Sequence, residues 1–169
     1  YEVYWTIGVD ELLARMKREH DAFWTAERRA KAERWGLSEL EVSTLASIVE
    51  SETADDGEKP MIAGLYYRRL KRGMLLKADP TVIFGIGDFS IRRVLNRHLA
   101  YDSPYNTYTH PGLPPGPIGS PGLPAIEAVL AAEPGDYLYY VAQADGHHVF
   151  TRSYEEHQQE TENINGSSF

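Results

Sequence analysis

The sequence predicts a mainly helical α+β domain that ends in a β-hairpin. Three observations predict it. Apolar residues recur at helical spacing, with capping signals, through the N-terminal part; a strand-turn-strand pattern rich in tyrosine and valine stands near the C-terminus; and a segment holding seven prolines, Pro104 to Pro124, separates the two. At 169 residues a single domain is expected, long enough to hide about 70% of the unfolded chain's surface.

Taken in order, Asp10 reads as the N-cap of one long helix, "ELLARMKREHDAFWTAERRAKAERW". Leu12, Leu13, Met16, His20, Phe23 and Trp24 keep helical spacing there until Gly36 stops the run. Ser38 and Glu41 form an S-x-x-E capping box, which satisfies two orphan N–H groups and starts a second helix over "LEVSTLASIVESE", to about Glu52 or Thr53. After "TADDGEK", Pro60 occupies a first helical position, where its missing N–H is no loss, and Ile62, Leu65, Tyr66 and Leu70 form an apolar stripe up to Gly73. Asp79 before Pro80 reads as the cap of a short helix, and "SIRRVLNRHL" as another beginning near Ser90.

The proline-rich stretch "YDSPYNTYTHPGLPPGPIGSPGLP" excludes regular structure while stiffening the chain, and a rigid loop of that length is usually functional. "AIEAVLAAE" then gives a short helix closed by Pro134-Gly135. "DYLYYVAQ", the turn "ADG" and "HHVFT" form the hairpin, and Ser153 with Glu156 repeats the capping box ahead of a last helix, "YEEHQQETENI". The end, from residue 163, reads as a flexible tail.

Composition excludes several classes. Without cysteine there is no disulfide, thiolate nucleophile or thiolate metal site. A net charge of −8 disfavours nucleic acid as a partner and suits a neutral or cationic substrate better. No run approaches the roughly 18 apolar residues of a membrane span, and the first residues carry neither an initiator Met nor a signal-peptide pattern, as expected of an excised fragment. "GIGDFS" lacks the third glycine and preceding strand of a dinucleotide site, and neither a Walker lysine nor a G-x-S-x-G elbow occurs. His147 and His148, neighbours on a strand, should face opposite sides, which opposes a two-histidine metal site.

Two glutamates stand at the end of the second helix. At 100° per residue the apolar arc of Val42, Leu45, Ile48 and Val49 includes Glu52, whereas Glu50 lies about 160° away on the side of Ser43 and Ser47. The two carboxylates therefore cannot flank one scissile bond. A carboxyl that continues an apolar stripe is costly to bury as an anion, so its pKa rises and it can act as a general acid; the alternative is a last turn that simply emerges into solvent. Glu50 reads as structural, accepting hydrogen bonds from backbone or tyrosine hydroxyls, with a chemical role as the alternative.

Four stretches carry a resemblance: "LASIVESET" (45–53), "RRLKRGMLLKADPTVIFGIG" (68–87), "SPYNTYTHPGLPPGPIGSPG" (103–122) and "YLYYVAQADGHHVF" (137–150). In this order the chain resembles the YceG-like family, endolytic lytic transglycosylases of bacterial peptidoglycan synthesis. Residues 37–162 correspond to its catalytic domain, lysozyme-like in the loose sense of a glutamate at a helix end facing a glycan cleft. Residues 1–36 resemble the segment before it, particularly in Bacteroidetes-like members. The resemblance implies that Glu52, in the family's E-T motif with Thr53, is the catalytic acid. It implies cleavage of the β-1,4 bond from N-acetylmuramic acid to N-acetylglucosamine within a strand, leaving a 1,6-anhydromuramic end, with no metal or organic cofactor. It also implies a location on the periplasmic face of the inner membrane through an N-terminal anchor absent here, with nascent strands and the synthases that make them as partners.

The same resemblance makes Thr53, Tyr105, Asn106, Thr107, Tyr108, Asp79, Glu50 and His148 the candidates for holding the sugar. Read without it, Tyr105 to Tyr108 are turn residues, Asp79 a helix cap and His148 a structural hydrogen-bond partner. Lys77 stands where many members of the family have glutamine. A classical hydrolase would recruit Asp79 as a second carboxylate; a water-using muramidase and a non-catalytic glycan-binding module thus remain the alternatives.

Overall fold

The computed structural model describes residues 2–133, 135–143 and 145–166, so Pro134, the first residue of the "ADG" turn and the last three residues of the expected tail lie outside them. The chain divides into two units, Tyr1–Glu39 and Leu40–Phe169.

In the first unit the expected single helix is two, α1 (Val9–Phe23) and α2 (Ala26–Trp35). The backbone leaves helical geometry at Trp24 and is extended at Thr25, whose hydroxyl accepts from the Arg28 N–H at 3.3 Å and caps α2. Asp10 is not a cap; α1 starts after Gly8 without a side-chain cap, and Asp10 lies in its first turn, where its charge suits the helix dipole. Gly36 ends α2 in the left-handed conformation, with φ of 69°, as a C-terminal glycine should.

The second unit is built around α3 (Glu39–Glu52). The predicted apolar stripe understates it, because Val42, Thr44, Leu45, Ala46, Ser47, Ile48 and Val49 are all buried, and a helix buried nearly all round is central to its core. Its hydroxyls are satisfied by carbonyls one turn back: Thr44 bonds Leu40, Ser47 bonds Thr44 and Ser51 bonds Ser47. Ser47 Oγ also accepts from the Ile118 N–H at 2.9 Å, which ties the proline-rich loop to α3.

Pro60 sits in the first turn of α4 (Lys59–Lys71), which packs against α7 (Leu123–Ala131). Gly64 permits the approach here: a Cβ at this position would lie 2.6 Å from the Glu133 carbonyl oxygen. Between them come α5 (Asp79–Ile86) and the single turn α6 (Asn96–Leu99). The helix expected from Ser90 is reduced to that turn. The hairpin pairs β1 (Tyr139–Ala142) with β2 (His148–Thr151), Tyr139 opposite Thr151 and Ala142 opposite His148, and α8 (Tyr154–Gly166) lies against both strands. The second capping box forms as predicted: the Glu156 N–H donates to Ser153 Oγ, and Glu156 accepts from the Ser153 and Arg152 N–H groups. Among the described residues no helix is long and apolar enough to cross a membrane.

Candidate functional site

The second unit holds a cleft of about 400 Å³ between the end of α3, the start of α5, the hairpin and α8. Glu52, Arg69, Lys77, Asp79, Tyr108, Tyr139, Tyr140 and His157 line it, a volume and aromatic-polar mixture suited to a ligand of one or two sugar rings. Glu52 is half-buried and also borders a second concavity of about 580 Å³ on its other side, with Glu50, Thr53, Asp56 and Lys59. One residue thus lines two open hollows.

Its chemistry follows from its surroundings. Glu52 is the last residue of α3, where the negative end of the helix dipole disfavours a further anion. Burial raises its pKa above the ordinary value of 4.5, and the charge of Asp79 adds to the rise; hydrogen bonds from Tyr66 and Tyr140 and the nearby His148 work the other way without cancelling it. The Tyr66 hydroxyl donates to Glu52 Oε1 at 2.8 Å and lies 2.7 Å from the Tyr140 hydroxyl. Such a group keeps its proton to higher pH than an ordinary glutamate and can give it up to a base placed in the cleft.

Glu50 is placed differently. Its partner is the buried Lys59 ammonium at 3.6 Å, shared with Asp56 at 2.6 Å, and not a backbone group or tyrosine hydroxyl as expected. Lys59 sits at the N-terminus of α4, the wrong end for a cation, and Asp56 and Glu50 hold its charge in place against burial, with its pKa raised.

The 105–108 segment divides. Tyr108 alone reaches the cleft wall, where its hydroxyl donates to Asp79 Oδ1 at 2.5 Å; burial and Asp79 together raise its pKa far above 10.0. Asn106 is 0% exposed, and its amide closes the loop on itself, donating to the Leu99 and Tyr101 carbonyls and accepting from the Tyr108 N–H. Thr107 is buried and joins Thr81 and the Ala78 N–H. Tyr105 packs against Phe84 with the rings tilted by 52° and centroids 4.7 Å apart. The expected sugar contacts of Asn106 and Thr107 are therefore corrected: their polar groups hold the loop that carries Tyr108.

Asp79 is corrected as well. The N-cap of α5 is Ala78, with no side-chain cap bond, and Asp79 instead faces the cleft with its proton donor Tyr108. Thr53 is buried beside Glu52, accepts from the Asp55 N–H and donates to Glu58. His148 donates its N–H to one Glu58 oxygen at 2.8 Å, and its Nδ1 lies 2.7 Å from the other. Burial opposes the Glu58 charge, but these bonds outweigh it and its pKa falls below 4.5. His147 lies 3.4 Å from the same carboxylate and from Asp55, so the two histidines do not face opposite ways; β2 begins at His148, and strand alternation does not apply to the turn residue before it. Asp55, Glu58 and His147 place three ligand atoms within 4.8 Å of one another, a spacing open to a cation, although His148 and Thr53 already occupy both Glu58 oxygens.

Sequence reasoning missed Arg69, Tyr139 and Tyr140 on the cleft wall and Tyr66 behind Glu52. Tyr66 reads as one more apolar position of its helix, yet a buried tyrosine hydroxyl needs a partner, and that requirement was the available signal. Arg69 is buried at 8% exposure, donates to the Leu138 carbonyl at 2.8 Å and to that of Leu76, and lies beneath Tyr139. Tyr139 stacks on His157, whose pKa is lowered by burial and by Arg69, so the imidazole presents a neutral face. Lys77 has φ of 53°, the one described non-glycine residue with positive φ, at the cleft wall.

Comparison with known proteins gives the family of the chain. The sequence profile of the YceG-like family matches residues 1–163. An endolytic murein transglycosylase of Bacillus subtilis (strain 168) is 44% identical over 114 residues, covering 68% of this chain and 31% of the relative. One from Streptococcus pneumoniae serotype 2 (strain D39 / NCTC 7466) is 33% identical over 154 residues, covering 88% of this chain and 27% of the relative. The crystal structure of a YceG-like protein from Listeria monocytogenes superimposes with a TM-score of 0.82 at 34% identity, over 95% of this chain and 52% of that one. The chain thus spans about a third or less of the curated relatives' length, and it belongs to the YceG-like family.

Proposed function

We propose that this chain carries the catalytic portion of an endolytic murein transglycosylase, within residues 37–162, with Glu52 as general acid and then base. The single observation that carries the proposal is a half-buried glutamate that lines two hollows and is held toward its neutral form by burial, with room for sugars of a strand beside it. The names and identities of the bacterial relatives support the substrate. Protonated Glu52 donates to the leaving glycosidic oxygen; the resulting carboxylate takes the proton of the sugar's own C6 hydroxyl as that oxygen attacks C1. No water is consumed, and the intramolecular attack draws its speed from proximity. Tyr108, Tyr139 and Tyr140 supply stacking faces and Asp79 a hydroxyl acceptor for the sugar.

Family membership also supports placing the whole protein on the periplasmic face of the inner membrane, in contact with nascent strands and their synthases. A second possibility, a muramidase using water, is favoured by one observation: Asp79 is a further carboxylate in the same cleft. Digestion of purified sacculi by the wild type and by Glu52→Gln decides. Anhydro-muropeptides formed only by the wild type are the expected result; ends that have gained water overturn the lytic mechanism, and turnover by Glu52→Gln equal to wild type removes Glu52 as the acid.

A further inference from the structure

Tyr66 of α4 is 0% exposed, and its hydroxyl has two partners, Glu52 Oε1 and the Tyr140 hydroxyl. A phenol carries one proton. Either hydroxyl can donate across the Tyr66–Tyr140 contact, and Tyr140 also favours the Glu52 anion by hydrogen bonding, so the three groups form one hydrogen-bonded cluster in which Tyr66 donates to Oε1. The two rings cross edge to face at 88°, with centroids 6.2 Å apart, which holds the two hydroxyls in place.

One of the two Glu52 oxygens is therefore occupied from inside the protein, and it remains an acceptor whether the carboxyl is neutral or ionised. We propose that Tyr66 is a positioning residue that holds Oε1 inward and leaves Oε2 as the oxygen that both gives and takes the proton, an assignment that rests on the lytic chemistry proposed above. In the first half-reaction the Oε2 proton passes to the glycosidic oxygen as the C1–O bond breaks, and the bonding pair leaves with the departing sugar hydroxyl. In the second, an Oε2 lone pair takes the C6 hydroxyl proton while O6 bonds to C1. The proton count closes, and the carboxyl returns to its starting form without exchange with solvent. One oxygen working twice requires a carboxyl that does not rotate between the two steps, and the Tyr66 bond prevents that rotation.

The bond also acts on ionisation. A donated hydrogen bond favours the carboxylate and opposes the effect of burial, so its removal moves proton loss from Glu52 to higher pH.

Tyr66→Phe keeps the ring and its packing while deleting the hydroxyl. The expected result is a kcat lower by about 10- to 100-fold with KM changed by less than about threefold, and a high-pH limb of the rate profile displaced upward. Carbon-13 NMR of the glutamate carboxyls, without substrate, should show the Glu52 titration midpoint rising in the variant. An unmoved midpoint in a Tyr66→Phe protein that still unfolds cooperatively overturns the positioning role and leaves the lytic proposal standing. A wild-type digest without anhydro ends overturns the lytic proposal instead, whatever the midpoint does, and the two-step role of Oε2 falls with it.

Discussion

The Tyr108 hydroxyl lies 2.5 Å from Asp79 Oδ1, joining the proline-stiffened loop to the first turn of α5 across 29 residues of sequence. The contact brings a carboxylate charge into the cleft with Glu52 and keeps the proton on the phenol. Under the proposed lytic mechanism Asp79 shapes the acid without taking part in bond breaking. In Asp79→Asn the neutral amide oxygen still accepts from Tyr108, so the substitution removes charge and little else. Easier ionisation of Glu52 should displace the high-pH limb of the kcat/KM profile to lower pH, with activity reduced by less than about tenfold. A water-using enzyme with Asp79 as base or nucleophile would instead lose on the order of 10²- to 10⁴-fold.

Glu52 should weaken the fold it serves. Its unfolded carboxyl titrates near 4.5 and its folded one higher, so the folded state holds the extra proton between those values. Stability is undiminished below 4.5, declines as pH rises through the window, and stays reduced above the folded pKa. Glu52→Gln, whose amide oxygen can keep the Tyr66 bond, should raise the melting temperature at pH 7 and lose that advantage below about pH 4.5. Thermal unfolding of both proteins across pH 4 to 8 measures it. An equal advantage at every pH would show that ionisation of Glu52 is not the source.

The parts of this fold that could be read from sequence are those settled within one turn of the chain. The Ser153 and Glu156 box, Pro60 at the start of α4 and Gly36 at the end of α2 each satisfy or terminate a helix with their own neighbours, so residue type and spacing suffice. The inward placement of Glu52 was legible for a related reason, because angular position on a helix is local. Asn106 and Thr107 were not. Their polarity signals hydrogen bonding but not whether the partner is a sugar or a backbone carbonyl, and only tertiary burial decides that. Asp79 misled in the same way: the residue before a proline looks like a cap, while its actual partner, Tyr108, comes from another segment. The break between α1 and α2 shows in the sequence only as the cap residue Thr25, while the Arg28 and Arg29 side chains that bond the freed Phe23 and Trp24 carbonyls read as surface charge.

Glu50 and Glu52 differ by two positions and should differ far more in consequence. Glu50 has a side chain 39% exposed and faces Lys59, whose shorter contact, at 2.6 Å, is to Asp56. Loss of the Glu50 charge leaves Lys59 one carboxylate, so Glu50→Gln should cost less than about 1 kcal/mol of stability, as expected for a partly exposed ion pair. Activity on sacculi should stay within about threefold of wild type, with the pH profile unmoved, whereas removal of a true acid or base at this site costs about 10²- to 10⁴-fold. A loss of that size in Glu50→Gln, in a protein with unchanged melting temperature, would make the second hollow a seat of chemistry and replace the lone-carboxyl mechanism with a paired one.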